Sequence, residues 1–235
     1  MGAIFSQARK ILVWLGKQEG GSDKALQFIH QILDLDNAGS LVKDEAKIDE
    51  WAALFQLLRR HWFTRRWVIQ EIALAKDASL HCGKDSLPWN MFADAVSLFA
   101  SKYPQLQQLF RSSSKFNHNP DYLGDVTELG ALRLIEVSNN LFRRSDENVA
   151  PDALLSLETL VYILPGFEAS KPENTIFAVL SVASDVRYAP KNVDASQSEA
   201  GSEAETQYTA RQLKALTTTV NLLRNRVERK TYYVD

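Results

Sequence analysis

The sequence predicts a helix-rich α/β protein with few strands. Three observations carry this: the unbroken apolar run Ile11-Leu12-Val13-Trp14-Leu15 closed by Gly16, a second short run Ala78 to Cys82 closed by Gly83, and long intervening stretches whose apolar residues recur every three to four positions. At 235 residues, 45% apolar and 24% charged, the chain is long enough to bury a core and has the composition of an ordinary globular protein.

The elements follow in order. Ala3 to Lys10 reads as a helix leading into the Ile11–Leu15 strand, whose continuous apolar character predicts a central place in a sheet. After a loop with Gly20, Gly21 and Ser22, the positions Leu26, Ile29, Ile32 and Leu33 predict a second helix capped by Ser22 or Asp23. Asn37 to Lys47 is a loop, and Ile48, Trp51, Leu54, Phe55 and Leu58 mark an amphipathic helix ending near His61. Thr64 is placed to cap a helix over Arg65 to Ala75, with Trp62 folded back beside Trp67 and Arg66 at an exposed turn. Trp89 to Leu109 is helical again. Serines 112 to 114, Asn117, Asn119, Pro120 and Gly124 make Arg111 to Asp125 read as a mobile connection. Leu129 to Phe142, Leu154 to Leu164 and Thr175 to Ala183 are helical, with no third strand.

The expected organisation is an α/β part over 1–110, a helical continuation over 111–188, a linker over 189–206 rich in acidic residues and serine, and an amphipathic helix over 207–235. The stripe Leu213, Leu216, Val220, Leu223, Val227 marks that last helix. The net charge of −2 supplies no basic field for nucleic acid or anionic lipid, so no nucleic-acid partner is expected. Cys82 is the single cysteine and no Asn-x-Ser/Thr site occurs, which suits a reducing cytoplasmic location. No apolar run approaches the roughly 20 residues needed to span a bilayer. Met1-Gly2-Ala3-Ile4-Phe5-Ser6 matches a myristoylation signal in form, and one acyl chain anchors only marginally.

Motifs for chemistry are sparse. Gly16 to Gly21 follows a strand and opens a helix, but Ser22 stands where a phosphate-binding loop needs lysine, so nucleotide triphosphate binding is not expected. His81 and Cys82 are strand neighbours on opposite faces and make no nucleophile and base pair. His30, His61 and His118 lack metal spacing, and Asp34 with Asp36 or Asp146 with Glu147 read as solvated acids. Arg59, Arg60, Arg65 and Arg66, interleaved with Trp62 and Trp67, are expected to pack over the indoles.

Taken together, three segments resemble one family. They are Ile4 to Gly16 ending in Trp14-Leu15-Gly16; Trp62-Phe63-Thr64-Arg65-Arg66-Trp67-Val68-Ile69-Gln70-Glu71 with Cys82-Gly83 behind; and Asn174 to Asp185. This pattern is similar to the fungal heterokaryon-incompatibility (HET) domain, with His61 where proline is usual and Glu173-Asn174 in place of Arg-Asp. The family's first half has no counterpart here, so the chain reads as its distal portion. The motif positions are Trp14, Gly16, Trp62, Phe63, Arg65, Trp67, Gln70, Glu71 and Gly83. The resemblance implies an incomplete TIR-like, flavodoxin-like parallel sheet with a helical C-terminal half. It also implies a role in non-self recognition and programmed cell death, exercised through protein partners and with possible self-association. No cofactor is implied. An alternative is a TIR-like NAD-cleaving hydrolase, with NAD as substrate and Glu71, four residues after Trp67, stabilising an oxocarbenium-like centre; another is a fragment without function.

Overall fold

The computed structural model describes residues 2–34, 39–143, 152–164, 167–169 and 172–186. The expected linker 189–206 and the closing helix 207–235 lie outside the described residues. The chain forms two compact units, Met1–Asn139 and Asn140–Asp235.

In the first unit, α1 (Gly2–Gln7) precedes β1 (Ile11–Trp14), and β1 runs parallel to β2 (Ala78–Cys82) with Ile11 opposite Ala78 and Trp14 opposite His81. Gly83, at φ 59°, turns the chain back into β3 (Asp85–Pro88), which pairs antiparallel with β2. The result is a small open mixed sheet in the order β1-β2-β3. β3 is absent from the sequence reading because Asp85-Ser86-Leu87-Pro88 offers one strong apolar residue, Leu87, which is the buried one.

Among the described residues β1 is an edge strand, which corrects the expectation that it is central. Its continuous apolar run suggested burial on both faces, yet only Val13 is buried within it, while Leu12 and Trp14 on the opposite face are 66% and 56% exposed.

Helices α2 (Ser22–Ile32) and α3 (Ile48–Leu58) pack along each other. Their seam is apolar because Ala25, Phe28, Ile29 and Ile32 face Trp51, Leu54, Phe55 and Leu58, all buried. Phe28 meets Trp51 edge-on at 4.8 Å, and the Trp51 indole donates to the Leu41 carbonyl at 3.0 Å, so the largest buried ring keeps a polar partner. The N-cap of α2 is Gly21 in the left-handed region, not Ser22 or Asp23; the Ser22 hydroxyl instead accepts from the Glu19 amide at 3.2 Å.

α4 (Val68–Ala73) lies between α3 and β2 in the chain. The helical stretch expected over Trp89–Leu109 is divided into α5 (Trp89–Ser101) and α6 (Tyr103–Ser112), because Pro104 suits the first turn of a helix and not its interior. The expected mobile connection 111–125 is packed instead. Phe110 stacks on Tyr122 at 5.5 Å with Phe116 against both, Gln56 donates to the Tyr122 hydroxyl at 2.7 Å, and Ser113 donates to Glu45 at 3.0 Å. Lys115 pairs with Asp49 and Arg111 with Asp121. The polar count of the segment masked the three side chains, Phe116, Tyr122 and Leu123, that anchor it.

α7 (Gly130–Leu141) closes the first unit and opens the second. Gly130 fits where it does because a Cβ there would stand 2.8 Å from the Phe63 carbonyl oxygen. In the second unit a two-residue ladder joins β4 (Phe142–Arg143) to β5 (Asp152–Ala153), a pairing that the helical expectation for this half did not include. α8 (Leu157–Ile163) and α9 (Pro172–Phe177) follow, with a 3₁₀ turn at Leu180–Val182. Ser156 caps α8 by accepting from the Thr159 amide, and Asp185 accepts from the Leu157 amide at 2.8 Å, so both ends of this segment are tied to one helix start. No described helix is long and apolar enough to cross a membrane.

Candidate functional site

The carboxyl ends of β1 and β2 meet at two glycines. Gly16, at φ 109°, ends β1, and its carbonyl accepts from the Gly83 amide at 2.9 Å. A Cβ on Gly83 would lie 2.8 Å from Gln18 Cβ and 3.1 Å from the Gln18 amide nitrogen, so the two strand-end loops touch where only glycine fits. These two motif residues are thus brought together for a backbone reason.

Arg60 holds the same loop from the end of α3. Its Nη1 donates to the Glu19 carboxylate at 2.9 Å and its Nη2 to the Glu19 carbonyl at 3.0 Å, with longer contacts of 3.4 Å to the Leu15 and Lys17 carbonyls. Sequence reasoning expected Arg60 over an indole and missed this clamp, for no local pattern tells which carbonyls an arginine will reach some 41 to 45 positions upstream. Beside it opens a cleft of about 460 Å³ lined by Glu19, Ser22, Gln56, Arg59, Arg60 and His61 among others. Arg59 stands over the Phe55 ring at 5.6 Å, again not over an indole.

The signature segment begins with a 3₁₀ turn, His61–Thr64. The Thr64 hydroxyl donates back to the His61 carbonyl at 2.9 Å and does not cap α4, whose N-cap is Trp67 without a side-chain bond. Trp62 is buried, edge-on to Phe63 at 5.3 Å and to Trp89 at 6.3 Å, and Phe63 stacks on Phe92. Trp67 is only half-buried, so the two indoles do not carry equal shares of the packing. Gln70 is buried, Arg65 is exposed and Glu71 is half-buried.

Glu71 does not line the cleft. Burial raises its carboxyl above the usual range, and the Arg65 charge pulls it part of the way back. The larger surprise is Arg66. Expected at an exposed turn, it is 2% exposed, its Nε and Nη1 lack hydrogen-bond partners among the described residues, and burial lowers it to about 10, so it stays cationic at neutral pH. Arg65 and Arg66 look alike in the sequence, yet Arg66 is buried and Arg65 is exposed.

Cys82 is buried and its thiol approaches the Lys17 carbonyl at 3.6 Å, while half-buried His81 shares a 2.9 Å hydrogen bond with Ser79 on the other face, so the pair stays apart as expected. Among the described residues no three His, Cys, Asp or Glu side chains gather as a metal site.

What remains as a candidate site is a surface. Leu12 and Trp14 stand exposed on one face of β1, with Ser79 and His81 as their register partners on β2. No curated protein and no solved structure matches the chain. Residues 1–71, from α1 through β1, the Arg60 clamp and the signature turn to Glu71, match the family model of the heterokaryon incompatibility protein (HET), so this stretch of the chain is similar to the HET domain.

Proposed function

We propose that the chain is a cytoplasmic incompatibility effector of the fungal non-self recognition type, acting by protein contact and not by chemical turnover. The observation that carries this reading is the position of Leu12 and Trp14: two large apolar side chains, more than half exposed, inside the segment that matches the HET family. A patch of this kind in a folded unit serves contact with another protein better than it serves a soluble surface. The parallel pair β1 and β2, joined through α2, α3 and α4, is consistent with part of a TIR-like, flavodoxin-like sheet.

Expression in a filamentous fungus tests the reading. Growth arrest that is lost in Trp14→Lys at equal soluble level supports it. Unimpaired growth at good expression overturns it in favour of a fragment without function. Release of nicotinamide from NAD by the purified protein, abolished in Glu71→Ala, overturns it in favour of an enzyme.

A further inference from the structure

We propose that two copies of this chain pair through β1, antiparallel about a two-fold axis at Val13, joining two three-stranded sheets into one of six strands. The inference deepens the contact reading above by naming the partner and the register.

The main chain sets the geometry. Ile11 donates to the Asp77 carbonyl at 2.8 Å and Leu15 to the His81 carbonyl at 2.9 Å, so the odd-numbered residues of β1 direct their peptide groups at β2. By alternation the amide and carbonyl groups of Leu12 and Trp14 point out of the sheet, along an edge with no paired strand among the described residues. Natural edges are blunted by a lysine, a proline or a bulge. Ile11-Leu12-Val13-Trp14 has none, and the nearest charge, Lys10, is held by Asp77 at 3.1 Å.

That edge is complementary to itself. Antiparallel pairing about Val13 sets Leu12 of one copy opposite Trp14 of the other as a hydrogen-bonded pair, and the reverse pair follows by symmetry. Each pair exchanges two N–H···O bonds, so all four outward peptide groups on each strand are satisfied. On the bare face the same register lays each Leu12 side chain against the partner's Trp14, an aliphatic and aromatic cross-strand pair that covers the two exposed residues together. A parallel pairing of two copies would be head-to-tail and would not close. The contact is short, well below the roughly 800 Å² per partner of a stable complex, so the expected dimer is weak: populated at about 100 µM and dissociated at about 1 µM.

Sedimentation velocity on the full chain across that range is the test. The parent is expected to shift from monomer to dimer, with the Leu12 and Trp14 amides gaining hydrogen-exchange protection as concentration rises. Leu12→Pro deletes one outward amide and no bond to β2, and Trp14→Lys replaces one exposed ring; both are expected to stay monomeric with unchanged circular dichroism. Should Leu12→Pro fail to fold, Trp14→Lys decides alone. A parent that is monomeric at 100 µM overturns the proposal, as does a dimer that persists in Trp14→Lys. Neither result touches the effector reading, which stands or falls on growth arrest; arrest lost in Trp14→Lys with a monomeric parent would assign this face to a different protein.

Discussion

Replacing Gly83 by alanine separates the two reasons a glycine stands between β2 and β3. The first is the backbone: at φ 59° an L side chain costs about 1 kcal/mol or somewhat more. The second is space. The new methyl would sit 2.8 Å from Gln18 Cβ and 3.1 Å from its amide nitrogen, atoms fixed to the main chain that yield only if the β1–α2 loop moves. Such overpacking costs about 1–3 kcal/mol, and a loop that moves puts the 2.9 Å bond from Gly83 to Gly16 at risk for about 1 kcal/mol more. Gly20 is the control, since at φ 61° it has the same backbone demand and nothing within 4 Å of its would-be Cβ. Urea unfolding followed by tryptophan fluorescence should give a loss of about 1 kcal/mol for Gly20→Ala and about 3 to 4 kcal/mol for Gly83→Ala. Equal losses for the two variants would refute the claim that the loops touch.

Three further outcomes are expected. Arg66→Met should leave stability unchanged or raise it by about 1–4 kcal/mol, because it removes a buried cation whose Nε and Nη1 lack partners among the described residues. Since burial lowers Arg66 to about 10, the folded state sheds this proton before the unfolded state does, and the gain over the parent should shrink as pH rises through 10; a loss of more than about 1 kcal/mol at pH 7 would mean the guanidinium has a partner. Burial raises the Glu71 carboxyl, so the folded state binds its proton more tightly than the unfolded chain, and Glu71 burdens stability as pH rises through that window; Glu71→Gln should raise Tm at pH 7, with the gain gone below about pH 4 in a thermal melt series. Trp62→Ala should cost about 3–5 kcal/mol and half-buried Trp67→Ala less than half as much, and the reverse order in denaturant titrations would contradict the packing of Trp62 on Phe63 and Trp89.

What the sequence disclosed tracks the range of the interactions involved. Helical spacing is a local signal, so α2, α3 and α7 stand close to where Leu26, Ile48 and Leu129 announced them. The run Ile11–Leu15 correctly announced a strand but not its place, since Leu12 and Trp14 spell the same letters whether covered or bare. Caps were misplaced where a hydroxyl had a nearer acceptor or donor: Ser22 serves Glu19 and Thr64 serves His61. Of the candidate site, the glycines Gly16 and Gly83 were legible as residues that close the two strands, and their contact was not. Arg60 and Arg66 could not be told apart from their neighbours at all, because one is defined by carbonyls from Leu15 to Glu19 and the other by its burial, and both are set by tertiary packing.

The ties of α3 and the turn before it to the segment after α6 bear on how the chain is made. Gln56 finds its tyrosine 66 positions later in the chain, Asp49 its lysine at the same separation, and Glu45 its serine after 68. At synthesis rates of roughly 5–20 residues per second, α3 exists for about 3 to 13 s before its cover has been translated. Throughout that interval the side of the Phe55 ring that Tyr122 covers in the finished unit is an uncovered apolar surface on a growing chain.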